Sequence, residues 1–512
     1  MPSQPALSDL SVLIVDPNPG MRGSLHNMLA GASITQIDYA LSSGTAIRQL
    51  GRRNFDLILC EYDLDAGGEN GQDGQQLLED LRHHRLIDAA TIFIMLTSEG
   101  VDSKVMGAAE LTPTDYVLKP FTADGLLQRI SRAFERRIVM LPAWRQLAAG
   151  NLRDTVRLCR AGVTGTPRLA ADFLRLEAEC HAALGDWASA ERMYRDLLAA
   201  RPAGWAQLGL ARCQYAQGRI EDARHGLELL IDTNPRFMAA YDLLARTYEA
   251  AGQPEQARRV LENAVTISPH MVRRLRRLGE LALDTGDVGG AERAFRQVVT
   301  KAKYSEFRDP QDHVNLVRTL VRKGNAAQAS GIVREMERTL RNNPETDACR
   351  AIAAALVQEM AGNDGGAVAE LSKAVAATQM AQGLSGRTRR ELVHSCLQYK
   401  LDDDASTVVL GMMNDPADPM TMAQAVGLFE AAGRHDLAAG VSRLIGQRVD
   451  TLIADVRTLL HQLDEGGWEV PLADRASHLL ARLRTLDPAN DALPNLSQQY
   501  LHTQRKYGIA AA

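Results

Sequence analysis

A recurring cadence of glycine, alanine and proline limits this chain more than any other feature. Gly185, Ala190 and Pro202 return as Gly218, Ala223 and Pro235, and again as Gly252, Ala257 and Pro269. Alanine follows glycine by five residues and proline follows alanine by twelve, at a period of 33 to 34. Glycine supplies a tight turn, a small side chain lets two helices approach closely, and proline ends the second helix. The unit is therefore a helical hairpin. A hairpin of this size cannot bury its apolar face alone, so it must stack on copies of itself. Weaker copies extend the array: Gly150 with Pro167, Gly286 with Ala291, Gly324 with Ala329, Gly362 with Ala367, Gly433 with Ala438, and Ala476 with Pro488. Between Cys396 and Pro419 the cadence is lost, and DDDA and NDPADP there read as loops. The pattern predicts roughly nine helix pairs.

The first 138 residues follow a different rule. Short β-type runs, Val12–Val15, Thr35–Tyr39, Leu57–Cys60, Thr91–Leu96 and Asp115–Leu118, alternate with helix-like stretches at 20–30, 43–53, 74–82, 102–109 and 122–137. Ser42, Asp102 and Thr122 are suitable N-caps. Five βα units imply a parallel sheet covered on both faces. In such sheets, ligands collect outside the carboxyl ends of the strands. Those ends carry Asp16, Glu61, Thr97 and Lys119, so two acids, a hydroxyl and a lysine should converge.

The ordered set LIVD…MR, LILCE, IMLTS and DYVLKPF resembles the CheY-like receiver domain of two-component response regulators. The resemblance covers about a quarter of the chain. It implies a doubly wound sheet of order 2-1-3-4-5, a cis Lys119–Pro120 bond, and a phosphoacceptor pocket. In that family an acidic pair after the first strand holds Mg²⁺ and an Asp after the third accepts phosphate. Thr and Lys bind the phosphoryl oxygens, and an aromatic on the fifth strand responds. Asp16, Thr97, Lys119 and Tyr116 match the first acid, the hydroxyl, the lysine and the switch aromatic. Two positions depart from the pattern. Pro17 stands in place of the second acid, and Glu61 in place of the acceptor Asp. Mg²⁺ demands near-octahedral oxygen ligands, and in-line phosphoryl transfer is mostly positioning. The expectation is a degenerate pocket, with at best a weak Mg²⁺ site at Asp16 and Glu61 and no other cofactor. Glu61, reaching toward Lys119 and Thr97, would imitate a phosphorylated state. Two alternatives stay open: Asp63 as acceptor, and Glu61 as an inert substitution. The loop Asp63–Gly74 is rich in acids but has Gly74 where a Ca²⁺-binding loop needs its twelfth-position Glu.

The repeats resemble the tetratricopeptide repeat (TPR), strongly over 171–269 and more weakly beyond. The implied division is a flexible tail at 1–9, a receiver at 10–138, TPR-type repeats at 139–490 (clearest over 171–303), and a terminal helix or tail at 491–512. The TPR family binds protein segments in a concave groove and has no catalytic apparatus, so an enzyme is not expected. With the turn glycine set at the fifteenth repeat position, Arg212, Arg246 and Arg318 take the ninth. Arg273 and Arg276 take the second and fifth of another repeat. These are groove positions by resemblance. Guanidiniums there suit acidic, carboxylate-bearing segments.

A net charge of −5 argues against a whole-protein nucleic-acid footprint. The basic run at 272–278 lacks the interleaved aromatics of single-strand binders. No apolar run approaches the roughly 20 residues of a membrane span, and MPSQPALSDL does not read as a signal peptide. Six scattered cysteines fit buried thiols in a reducing cytoplasm. His83-His84 reads as a surface pair. The expectation is a cytoplasmic signalling adaptor that binds proteins, a histidine kinase or another signalling enzyme among them. The alternative is a regulator whose phosphorylated receiver gates TPR binding. A homodimer is compatible with either, and a purely architectural scaffold is a third reading.

Overall fold

Of the 512 residues, the computed structural model describes 6–64, 73–98, 113–302, 308–340, 343–381, 383–415 and 419–507. The helix expected at 102–109, its cap Asp102, and the loop acids Asp65 and Glu69 lie outside the described residues. The chain forms two compact units, Met1–Arg308 and Asp309–Ala512.

The first unit opens with β1 (Ser11–Val15), α1 (Pro19–Gly31), β2 (Gln36–Ala40), α2 (Ser43–Leu50), β3 (Leu57–Glu61), α3 (Gly74–His83), β4 (Ile92–Ser98), β5 (Asp115–Lys119) and α4 (Ala123–Ala148). The strands pair in parallel in the order 2-1-3-4-5. Alternation along β3 explains its unbroken apolar run. Leu57 and Leu59 face a core built with Leu25 and Leu29 of α1 and Leu126 and Ile130 of α4. Ile58 and Cys60 face the opposite core, with Ile47 of α2 and Leu77 and Leu81 of α3. A strand buried on both faces has no polar side to reveal its period. Ser42 and Thr122 cap α2 and α4 as expected, accepting from the amides of Thr45 and Gly125.

The flexible tail expected at 1–9 is corrected for residues 7–9. Leu7–Asp9 form a short 3₁₀ turn, and Leu7 packs against the sheet core. The Asp9 amide closes the turn on the Ala6 carbonyl at 3.1 Å, and partial burial of Leu7 adds a fraction of the roughly 1.5–3 kcal/mol that a fully buried leucine contributes.

α4 leaves the sheet without a break and becomes the first helix of the repeats. Its last turns bury Met140 and Ala143 against Val156 and Cys159 of α5 (Leu152–Gly165) and Phe173 of α6 (Ala170–Ala183). Arg137 returns to Asp56 beside the sheet at 2.6 Å, while Arg136 reaches Asp172 in the repeats at 2.6 Å. The array continues as α7 (Trp187–Ala200), α8 (Gly204–Ala216), α9 (Ile220–Thr233), α10 (Met238–Ala250), α11 (Pro254–Ile267), α12 (Val272–Asp284) and α13 (Val288–Ala302). The cadence alanines 190, 223, 257 and 291 are fully buried, and every hairpin turn here has its glycine at positive φ.

The second unit holds α14 (Pro310–Arg322), α15 (Ala326–Thr339), α16 (Pro344–Met360), α17 (Asp364–Thr378), α18 (Gly386–Gln398), α19 (Asp402–Met413), α20 (Met422–Ala431), α21 (His435–Gly466), α22 (Val470–Leu486) and α23 (Ala492–Lys506). α23 occupies most of the stretch at 491–512 that the sequence left open as a terminal helix or a tail. The loop expected at DDDA is corrected: Asp402, Asp403 and Asp404 form the first turn of α19. Three carboxylates there face the positive end of the helix dipole, which favours them by about 0.3–1 kcal/mol each. Counting the end of α4 as a first helix, twenty repeat helices, forming ten consecutive pairs, lie among the described residues. All six cysteines are buried and unbridged.

Candidate functional site

The carboxyl edge of the sheet gathers the four residues read from the strand ends. Asp16 follows β1, Glu61 ends β3, Thr97 lies at the end of β4, and Lys119 ends β5. Parallel register puts Glu61 opposite Leu96 and Ser98 opposite Lys119. The Lys119 ammonium bonds directly to Glu61 Oε2 and lies 3.9 Å from Asp16 Oδ2. Glu61 Oε1 accepts from the Asp63 amide at 3.1 Å. Thr97 is buried, with its hydroxyl 3.5 Å from the Ser98 carbonyl.

Asp16 is buried. Its Oδ1 accepts from the Asn18 amide at 2.7 Å, while Oδ2 has no hydrogen-bond partner among the described residues. Burial pushes its carboxyl above the ordinary value, against the opposing pull of the Asn18 amide and Lys119. Arg22 holds the adjoining turn by donating to the Asp16 carbonyl at 2.7 Å. Tyr116 is half-buried and packs toward the α2–α3 core. Burial, with Tyr62 nearby, pushes its phenol up to about 12.

This donor set does not fit Mg²⁺. Pro17 offers no side-chain oxygen. Glu61 is engaged by Lys119, and the same ammonium supplies the positive charge beside Asp16. An octahedral ion would need several oxygens, and among the described residues no group of three or more metal-binding side chains gathers anywhere.

The groove predicted from the repeats is the second candidate. Arg212, Arg246, Arg273 and Arg276 converge on one cavity of about 660 Å³, and Arg236, Arg274 and Arg277 join them. The fifth, Arg318, is not part of it. It lies in the second unit, buried, with its guanidinium on Glu391 (2.6 Å) and Asn315 (3.0 Å). The groove role expected for Arg318 is therefore corrected. A side chain so enclosed and so paired has no face to offer a partner.

The other wall of the cavity is the receiver itself, which supplies Gln75, Glu79, Arg82 and His83 of α3. Arg274, 2% exposed, holds the junction. It donates through Nη2 to Glu79 Oε2 at 2.9 Å, and through Nε to Asp242 Oδ1 at 2.8 Å. Gln76 donates to Ser268 Oγ at 3.2 Å, and both residues are buried. Arg273 donates to Asp242 at 3.1 Å and to His83 Nδ1 at 3.3 Å. Burial and the neighbouring arginines lower both histidines, His84 to about 4. The pair is exposed, as expected, but it stands beside the arginine groove.

Residues 12–131 match the response regulator receiver domain model, and 175–235 and 248–306 match two tetratricopeptide repeat models. The chemotaxis protein CheY of Pseudomonas aeruginosa is 30% identical over 127 residues, covering 25% of this chain and 98% of that protein. This chain belongs to the response-regulator receiver family. CheY-3 of Vibrio cholerae serotype O1 is 27% identical over 128 residues, covering 25% of this receiver–TPR chain and 94% of the relative. A tetratricopeptide repeat protein from Parabacteroides merdae superposes with a TM-score of 0.34 at 15% identity, over 50% of this chain and 96% of that one. YrrB, a TPR protein with an unusual peptide-binding site, gives 0.31 at 12% identity, over 36% and 91%.

Reading the receiver–TPR sequence missed Arg274, Glu79, Asp242, Ser268 and Gln76. Arg274 was visible only as one of four arginines in the run Val272–Leu278. A helical wheel of α12 puts it beside the buried Leu275, a signal that it faces the interior.

Proposed function

We propose that this protein is a signalling adaptor of two-component type whose receiver is not phosphorylated and whose TPR groove binds acidic protein segments. The observation that carries the reading is the contact of the Lys119 ammonium with Glu61. In this family the lysine meets the phosphoryl group; here it is satisfied by a permanent carboxylate. Together with Pro17, that contact supports a pocket fixed in one charge state. The arginines converging at 212, 246, 273 and 276 support the groove, since guanidinium forks match carboxylates. Its partners would include a histidine kinase or another signalling enzyme, and the chain itself carries no catalytic role. The division at 10–138 and 139–490 belongs to the same proposal. The compact units instead part at Arg308, because α4 and the α3 contacts tie the receiver to the first repeats.

A phosphorylation-gated regulator is the second reading. The buried Asp16 Oδ2, without a hydrogen-bond partner among the described residues, favours it. Incubation with acetyl phosphate and Mg²⁺, followed by intact-mass measurement, separates the two. No adduct is the result expected; a phosphoryl adduct lost on Glu61→Gln or Asp63→Asn would overturn the first reading. Among the described residues, no helix is long and apolar enough to cross a membrane, and a cytoplasmic location remains part of the proposal.

A further inference from the structure

We propose that receiver helix α3 is a built-in competitor for the arginine groove, and that the groove's partner is a carboxylate-rich protein segment that displaces it. The proposal rests on the groove reading above. Glu79 puts a carboxylate on Arg274 (2.9 Å) and Gln76 puts an amide on Ser268 (3.2 Å). Glu79, Gln76, Arg274 and Ser268 are all buried. The receiver therefore places on the groove the same chemistry that an acidic segment would bring: one desolvated carboxylate on a guanidinium, with an amide beside it. A charge-assisted pair of this kind is among the stronger single contacts a groove can make.

The groove keeps room for more than Glu79. The cavity is lined by eight arginines against four carboxylates, Glu79 included. A concave wall with excess positive charge concentrates anions. The arginines are strung along the array: Arg212 is on α8, Arg246 on α10 and Arg276 on α12, one from each of three successive hairpins. That ladder suits an extended chain with several carboxylates better than a compact anion. Met238, Leu243 and Leu261 give the same cavity an apolar floor for the chain between them. An incoming segment can engage the open end of the ladder first and then replace Glu79 on Arg274, releasing α3.

The test uses the full chain, fluorescein-labelled hexaglutamate with hexaglutamine as control, and fluorescence anisotropy. Glu79→Gln keeps the shape of α3 and removes the competing charge. It is expected to bind hexaglutamate roughly tenfold tighter than the parent, about the worth of one released charge-assisted contact. It should also lose amide-exchange protection over α3 and 272–284. Should that variant fold poorly, Ser268→Ala loosens the same contact with less disturbance and is expected to tighten binding in the same direction, by roughly two- to fivefold. Equal affinity in parent and variants overturns the competition while leaving the groove reading intact. Absence of hexaglutamate binding in every protein, or equal binding of hexaglutamine, overturns both.

Discussion

Glu61 is the residue on which the pocket turns. An aspartate carboxylate at the end of β3 would stop one carbon short of where Glu61 meets Lys119. Shortening it alone leaves Pro17 without a ligand oxygen, so Glu61→Asp should remain unreactive toward acetyl phosphate. Pro17→Asp combined with Glu61→Asp restores both an oxygen set for Mg²⁺ and a correctly placed nucleophile. That double variant is expected to gain a Mg²⁺-dependent phosphoryl adduct by intact mass, and failure to gain one would place the defect elsewhere in the pocket. A second residue gives a pH signature. Asp73 caps α3, accepting from the Gln76 amide at 2.7 Å, and burial raises its carboxyl from 3.8 to about 6, with Glu79 adding to the shift. The folded protein thus holds this proton through a window in which the unfolded chain has lost it. The group's contribution is full below about pH 4 and lost as pH rises through about 6, a swing of about 3 kcal/mol. Asparagine caps equally well without titrating. Asp73→Asn should therefore melt higher than the parent at neutral pH by scanning calorimetry, with the gap closing toward about pH 4. The pocket's membership was legible in the sequence because chemistry at a parallel sheet sits where apolar runs end. Which carboxylate Lys119 chooses was less so, since side-chain reach leaves no period in a sequence.

At the scale of the element, one turn shows why the repeat pattern failed over 396–419. The turns at Gly185 and Gly218 close alike. The glycine amide donates to the carbonyl three residues back, and the next amide donates five back. The turn between α18 and α19 closes the same way, Lys400 to Leu397 at 3.1 Å and Leu401 to Cys396 at 2.8 Å, with Lys400 at φ 59°. The hairpin is there, but its glycine is not. A cadence read from glycine cannot see a lysine held in the left-handed region. An L-residue there carries roughly 1 kcal/mol of strain, partly offset in Lys400→Gly by the freer unfolded chain. The substitution should stabilise the second unit by about 0.5 kcal/mol, read as a small rise in its calorimetric transition. Elsewhere the hairpins were legible from the spacing of glycine, alanine and proline. The DDDA turn was misread because three acids resemble a loop until a helix amino end gives them a reason.

At the scale of the whole molecule, α3 reads by itself as an ordinary amphipathic helix, and nothing local marks Glu79 as a contact 195 residues distant from Arg274. Period and spacing report the face a helix buries, not which distant charge it meets. Physical chemistry still makes the pair testable. Arg274→Met removes the cation that Glu79 and Asp242 share, leaving Asp242 with Arg273 and leaving Glu79 buried, 4.0 Å from Arg273. Breaking a buried pair from one side costs about 3–5 kcal/mol, so the first unit's transition should fall clearly. The loss should also depend on pH. Burial already raises the Glu79 carboxyl, and Arg274 is the largest influence holding it down. Without that arginine the carboxyl should hold a proton to higher pH, and a protonated Glu79 no longer needs a cation. The gap between parent and variant is therefore expected to be widest near pH 8 and to narrow toward about pH 5. Glu79→Gln placed on Arg274→Met should recover part of the loss at pH 8 and little at pH 5. A loss independent of pH, unrelieved by the second substitution, would assign the cost to the packing of the arginine stem and remove charge pairing from the account of how receiver and repeats are joined.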